Sequence, residues 1–186
     1  MRVLLTSAGL ETREIEACFV NMVGKDISLV KALFIPTAAI DADAIAVLPK
    51  CMNDLLKCGI LSENISVYDL HMGMSYEELK QYDLVYLCGG STRYLLDRIN
   101  DTGFRKALMA YINANGLVIG VSAGSIIFCN NLRDNLGLLD IKLDVHCATG
   151  EKSGKLAYPL KNHLQLTNTC ALVIRDMLDG MEIIGD

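Results

Sequence analysis

The part of the chain best suited to chemistry is a serine between two glycines, set inside an apolar run. Residues 117–128 read LVIGVSAGSIIF, in which Gly120, Ser122 and Gly124 form a G-x-S-x-G pattern. Between a strand and a helix, this pattern is typical of a sharp turn that holds the serine hydroxyl above a sheet edge. Larger residues beside the serine would collide with the neighbouring strand and helix. We expect Ser122 to be a nucleophile; the alternative is a tightly packed turn in which the serine only caps the helix.

A serine nucleophile needs hydrogen-bond donors for the oxyanion that forms when it attacks a carbonyl. The amide of Ala123, at the start of the helix after the turn, is one candidate, and the helix dipole adds positive charge there. A second glycine-rich segment, LCGGST, also ends a strand ahead of a helix, and its Gly90 is the expected second donor. The rival interpretation, a phosphate-binding loop, lacks both G-x-x-x-x-G-K-[ST] and G-x-G-x-x-G.

The nucleophile also needs a base, and the chain has three histidines. His71 follows a strand and is expected at a rim, whereas His163 is expected in an exposed loop. His146 ends an alternating apolar pattern. It follows Ser122 by 24 residues, a length that allows one crossover connection to bring the histidine back beside the serine turn. We therefore expect His146 to be the base.

Strands and helices alternate through the first two thirds of the chain. The pattern predicts strands at 3–7, 30–36, 65–70, 84–88 and 117–121, and helices at 10–22, 41–56, 75–82, 92–99 and 103–114. This alternation predicts an α/β fold, a doubly wound and mostly parallel sheet with helices on both faces. After Cys129 come the short strand-like pieces KLDVH, KLAYPL, CALVI and MEIIGD. We expect them to form the far edge of the sheet or a small antiparallel addition.

Composition limits the possible partners and the compartment. The chain has 186 residues and a net charge of −5, with no basic run, which argues against nucleic acid and acidic membranes as partners. It opens directly on an apolar strand rather than a signal peptide, so we expect a single cytoplasmic domain over 1–186. Seven cysteines without a C-x-x-C pair predict reduced, mostly buried thiols and no thiolate metal site. No cofactor or metal is expected, and either a monomer or a homodimer is compatible with the sequence.

The residues around Ser122 resemble those of a known family. The stretches YLCGGST, VIGVSAGS and DVH, in this order and spacing, are similar to the dipeptidase E family of serine peptidases, which includes aspartyl dipeptidases and cyanophycinases. The resemblance implies a fold like the class I glutamine amidotransferases, a flavodoxin-like three-layer sandwich. It also implies that Ser122 is the nucleophile and His146 the base, with the amides of Gly90 and Ala123 forming the oxyanion hole. A small peptide is the implied substrate.

The chain departs from that family between the serine turn and His146, where the segment CNNLRDNLGLLD is short. Asp134, in this segment, best matches the family's acid, while Glu151 and Asp144 are the alternatives. The family's preference for N-terminal aspartate would require a cation near the pocket, for which Arg93 and Arg133 are candidates. Two other functions stay open: an inactive relative that binds a small ligand or partner, and a carboxylester hydrolase.

Overall fold

A single eight-stranded sheet forms the centre of the protein. The computed structural model describes residues 1–157, 159–177 and 180–185. The strands are β1 Arg2–Thr6, β2 Ala32–Ile35, β3 Ile65–Val67, β4 Leu84–Leu87, β5 Leu117–Val121, β6 Lys142–Asp144, β7 Gly154–Lys155, β8 His163–Gln165, β9 Ala171–Ile174 and β10 Met181–Ile184. The large sheet has the order β3-β2-β4-β5-β1-β9-β10-β7.

The first five strands are parallel to one another, which confirms the expected α/β sheet. Strands β2, β4 and β5 are continuous apolar runs, and every residue in them is buried. Such runs are typical of parallel strands, because helices cover both faces of the sheet. The predicted strand limits agree to within a few residues, except that β3 ends at Val67 rather than Leu70.

The helices lie on both faces of the sheet, as predicted. They are α1 Arg13–Val23, α2 Ala42–Lys57, α3 Tyr76–Leu79, α4 Thr92–Asp101, α5 Phe104–Asn113 and α6 Ala123–Ile126. Side chains of α1 and α2 belong to one apolar cluster, and those of α3, α4 and α5 to the other. The long helix α2 is preceded by its N-cap, Asp41, whose side chain accepts a hydrogen bond from the Ala44 amide and so caps the first turn.

The C-terminal third extends the sheet with antiparallel strands, which confirms the expected addition. Two details differ from the sequence prediction. Strands β6 and β8 form a separate parallel pair, and His163 lies in β8 rather than in a loop, although its side chain is exposed. Two residues of the predicted strand-like pieces lie outside the described residues: Tyr158 in KLAYPL and Asp186 in MEIIGD.

Strand register brings three distant segments to one edge of the sheet. Thr6, the last residue of β1, pairs with Val121 at the end of β5 and with Ala171 at the start of β9. The residues that follow β1 and β5 therefore lie next to the residues that precede β9. This edge, where the central parallel strands end, is where α/β folds gather functional groups.

The cysteines are free thiols and four of them are buried, namely Cys51, Cys88, Cys129 and Cys170. This agrees with the expectation of small apolar side chains in the core. Over 1–157, 159–177 and 180–185, no helix has the length and apolar character needed to cross a bilayer.

Candidate active site

Ser122 occupies a strained turn between β5 and α6. Its φ of 49° and ψ of −109° lie outside the conformations that side chains normally favour. A Cβ on Gly120 would lie 2.4 Å from the Gly124 carbonyl oxygen, and one on Gly124 would lie 2.3 Å from the Leu87 carbonyl oxygen. Both glycines are required because main-chain atoms, which cannot move aside, approach them closely. The serine turn thus has the geometry that the G-x-S-x-G pattern predicted.

Hydrogen bonds to the end of β1 hold this turn in place. The Thr6 carbonyl accepts the Ser122 amide at 3.0 Å and also the Ser125 hydroxyl at 2.8 Å. The Thr6 hydroxyl donates to the Gly120 carbonyl at 3.0 Å. The turn is therefore fixed on both sides of the serine, and the strain at Ser122 is maintained by its surroundings.

The imidazole of His146 reaches the serine hydroxyl. His146 Nε2 lies 3.0 Å from Ser122 Oγ, within hydrogen-bonding distance. Its backbone has a φ of 57°, and its amide donates to Ser7 Oγ at 2.6 Å. This contact ties the residue to the segment that follows β1, so that the histidine after β6 is held at the serine turn.

An asparagine that the sequence did not indicate orients the imidazole. Asn168 Oδ1 lies 2.7 Å from His146 Nδ1, and the Ser7 hydroxyl donates to the same oxygen at 3.3 Å. An amide oxygen only accepts hydrogen bonds, so Nδ1 carries the proton and Nε2 is left to accept from the serine hydroxyl. Ser122, His146 and Asn168 therefore form a continuous hydrogen-bonded chain.

None of the three carboxylates considered from the sequence has a described contact with His146. Asn168 lies at His146 Nδ1, where we expected Asp134, and this corrects that expectation. The shortened loop that contains Asp134 lies against α4 and α5. The Asp134 carbonyl oxygen accepts hydrogen bonds from the side chains of Asn100 and Arg105. The alternatives are engaged elsewhere, Glu151 with Lys161 at 2.9 Å and Asp144 with His163 at 2.8 Å.

The other histidines and the candidate cations also lie away from the serine. His71 pairs with Asp69 at 2.8 Å on the surface. The exposed Arg93 lies 3.4 Å from Asp97 in its own helix, and Arg133 is exposed in the shortened loop. Neither arginine lines the cavity beside Ser122.

The glycine pair packs directly against the serine turn. Gly90 has a φ of 134°, and a Cβ there would lie 2.1 Å from the Ala38 carbonyl oxygen. A Cβ on Gly89 would lie 3.2 Å from Ser122 Cβ. Ala123 begins α6, so its amide has no carbonyl to bond within that helix. The predicted oxyanion donors therefore lie on two segments that converge on Ser122.

A cavity of about 300 Å³ opens beside these groups. One part of its lining comes from the serine turn, His146, the glycine pair and the segment after β1; the other comes from α2, through Asp43, Ala44, Val47, Leu48 and Cys51. Among the described residues, no group of three or more His, Cys, Asp or Glu side chains is arranged to hold a metal ion. The arrangement of imidazole and hydroxyl beside this cavity suits attack on a carbonyl carbon.

Comparison with known proteins gives matches to peptidases. The family model for peptidase family S51 matches residues 3–141. The chain is 30% identical over 112 residues to the uncharacterized peptidase Lmo0363 of Listeria monocytogenes, a match that covers 60% of this chain and 52% of the relative. It is 26% identical over 99 residues to the uncharacterized peptidase PM1590 of Pasteurella multocida, covering 53% and 48%. The chain spans about half the length of the curated relatives it matches.

Two solved structures share the fold. A crystal structure from Listeria monocytogenes EGD-e, described as a candidate peptidase E protein, superposes with a TM-score of 0.75 at 22% identity, covering 100% of this chain and 97% of that one. A peptidase from an acI-B1 Actinobacterium superposes with a TM-score of 0.67 at 17% identity, covering 100% and 87%. At these identities, the likeness establishes the architecture and no more.

Proposed function

Because this chain belongs to peptidase family S51, the family that its sequence resembles, we propose that it is a serine hydrolase that cleaves small peptides through an acyl-enzyme. Ser122 is the nucleophile, His146 the general base, and the amides of Gly90 and Ala123 the oxyanion donors. Asn168 is the positioning residue of the imidazole. The single observation that carries the proposal is the 3.0 Å contact between His146 Nε2 and Ser122 Oγ on a strained, glycine-flanked turn.

The reaction follows from these positions. His146 Nε2 takes the Ser122 proton as Oγ attacks the peptide carbonyl, and the resulting imidazolium protonates the departing amine. The acyl-enzyme is then hydrolysed by water through the same groups in reverse roles. Each oxyanion amide contributes about 3 kcal/mol to transition-state stabilisation in sites of this kind. Throughout, the proton stays on Nδ1 and is donated in a hydrogen bond to the Asn168 amide oxygen, which keeps the ring oriented.

A neutral amide in the third position is compatible with this chemistry. A cysteine–histidine–asparagine site is an established variant of the same arrangement, in which the third residue fixes the imidazole tautomer and orientation. The amide supplies orientation but no negative charge to stabilise the imidazolium. We therefore expect a working site whose rate responds strongly to the identity of residue 168.

The experiment combines dipeptide hydrolysis with active-site labelling by a fluorophosphonate. The wild-type protein is expected to hydrolyse dipeptides and to be labelled at Ser122, located by peptide mass spectrometry. Ser122→Ala should abolish both, and His146→Ala should reduce both by at least about a hundredfold. Ser66→Ala, which removes an exposed hydroxyl on edge strand β3, is the matched control and should change neither.

Two outcomes would contradict the proposal. A folded wild-type protein that neither hydrolyses dipeptides nor reacts with the probe would favour the inactive relative that binds a ligand or partner. Hydrolysis of simple esters with no dipeptide turnover would instead favour a carboxylester hydrolase.

A further inference from the structure

The cavity beside Ser122 continues under helix α2, where its wall is apolar. Residues Ala44, Val47, Leu48 and Cys51 line this part, and with Asp43 they recur at the spacing of one helical face. Cys51 is only 2% exposed and belongs to the buried apolar cluster, so it marks the inner end. Asp43 is exposed in the first turn of α2. It lies eight residues before Cys51, which is about 12 Å along the helix axis at a rise of 1.5 Å per residue.

None of the described residues that line this cavity is a free cation. Its described lining contains no lysine or arginine. Lys50 of helix α2 donates to the Ala8 carbonyl at 3.2 Å, but it is held by two carboxylates, Glu11 at 2.5 Å and Asp54 at 3.8 Å. Its charge is therefore already balanced. An acidic side chain would enter an apolar slot with no partner, which is costly.

Among the described residues of the lining, Asp43 carries the one carboxylate, and it is free to bind a cation. Within 1–157, 159–177 and 180–185, no hydrogen bond or ion pair to the Asp43 side chain is found, and the N-cap role in this helix belongs to Asp41. Helix α2 starts after β2, so its first turn lies at the same sheet edge as Ser122, whereas Cys51 lies deeper. The Asp43 carboxylate thus lies at the same sheet edge as Ser122, and the apolar part of the cavity extends from there toward Cys51.

We propose that this cavity selects peptides with a free amino terminus and an apolar first side chain. The α-ammonium pairs with Asp43 at the rim, and the side chain enters the slot formed by Ala44, Val47 and Leu48. This inference rests on the proposed function and specifies the substrate class at the same site. It also predicts that N-terminal aspartate, which the family resemblance suggested, is a poor substrate here, because its carboxylate would face Asp43 or the apolar wall.

The test uses p-nitroanilides of leucine, aspartate and N-acetyl-leucine with the full chain. The wild-type protein should hydrolyse the leucine anilide at least about tenfold faster, in kcat/KM, than either of the others. Asp43→Asn should raise KM for the leucine anilide about tenfold and leave kcat within about threefold, because it removes an ionic contact with the bound ammonium. The acetylated substrate, which has no ammonium, should respond to Asp43→Asn by less than about twofold.

Two further variants make the result specific. Glu14→Gln removes a first-turn carboxylate from α1, away from the cavity, and should leave every rate unchanged. Ala44→Phe fills the slot and should lower kcat/KM for the leucine anilide while Ser122 still reacts with the fluorophosphonate. Labelling at Ser122 together with faster cleavage of the aspartate anilide, or with no cleavage of the leucine anilide, overturns the specificity but leaves the hydrolase intact. A protein that neither labels nor cleaves any anilide contradicts the proposed function itself.

Discussion

Replacing Asn168 tests how the imidazole is positioned. Asn168→Ala removes the acceptor that lies 2.7 Å from His146 Nδ1. In the transition state this bond is donated by an imidazolium, and hydrogen bonds to charged groups are worth about 1.5–3 kcal/mol. Since about 1.4 kcal/mol is a factor of ten, the second-order rate of Ser122 phosphonylation should fall by about 10–150-fold. Asn168→Asp keeps the acceptor oxygen, so it should retain the wild-type rate or exceed it.

A double-mutant cycle separates this role from a merely structural one. If Asn168 acts through the imidazole, Asn168→Ala should have no further effect in the His146→Ala background. Asn113→Ala, at an exposed position in α5, is the control for loss of an asparagine side chain and should leave the rate unchanged. An equal fall in rate with and without His146 would refute the argument, and so would a full rate in Asn168→Ala.

Three predictions concern stability. Gly124→Ala should lower the free energy of unfolding by more than about 2 kcal/mol in denaturant titration, because its Cβ would lie 2.3 Å from the Leu87 carbonyl oxygen; an unchanged midpoint would contradict this. Tyr86→Phe should preserve or raise the melting temperature, since the buried Tyr86 hydroxyl has no hydrogen-bond partner among the described residues; a fall of several degrees would show that the hydroxyl is needed. Burial raises the pKa of Asp54 above its unfolded value, so its contribution to stability is greatest below the unfolded pKa and declines as the pH rises through the folded pKa. Asp54→Asn should therefore gain stability relative to wild type as the pH rises above about 4, the ordinary pKa of an aspartate, and a constant difference in unfolding midpoint would oppose this.

The sequence predicted the serine turn because its requirements are local. Gly120, Ser122 and Gly124 lie within five consecutive residues, and the backbone contacts that exclude larger residues follow from a strand entering a helix. The parallel half of the sheet could also be predicted, since buried runs such as β4 and β5 alternate with helical patterns. The pairing of His146 with Ser122 followed from the scarcity of histidines and the need for a base.

The third member of the hydrogen-bonded chain could not be predicted in the same way. Asn168 lies between β8 and β9, and it reaches His146 only because Ala171 pairs antiparallel with Thr6. That register is a long-range property with no local pattern in the sequence. The expectation of a carboxylate in this position favoured Asp134 over a neutral amide, but the loop that contains Asp134 folds against α4 and α5 instead. Once β9 is known to pair with β1, a polar residue just before β9 becomes a candidate.

The most direct measurement is the rate at which a fluorophosphonate modifies Ser122, compared between wild type and His146→Ala. Activation of the hydroxyl by the imidazole predicts a wild-type rate at least about a hundredfold higher, with the adduct mapped to Ser122 alone. Equal rates in the two proteins, or an adduct on a different residue, would contradict the assignment of Ser122 and His146 as nucleophile and base.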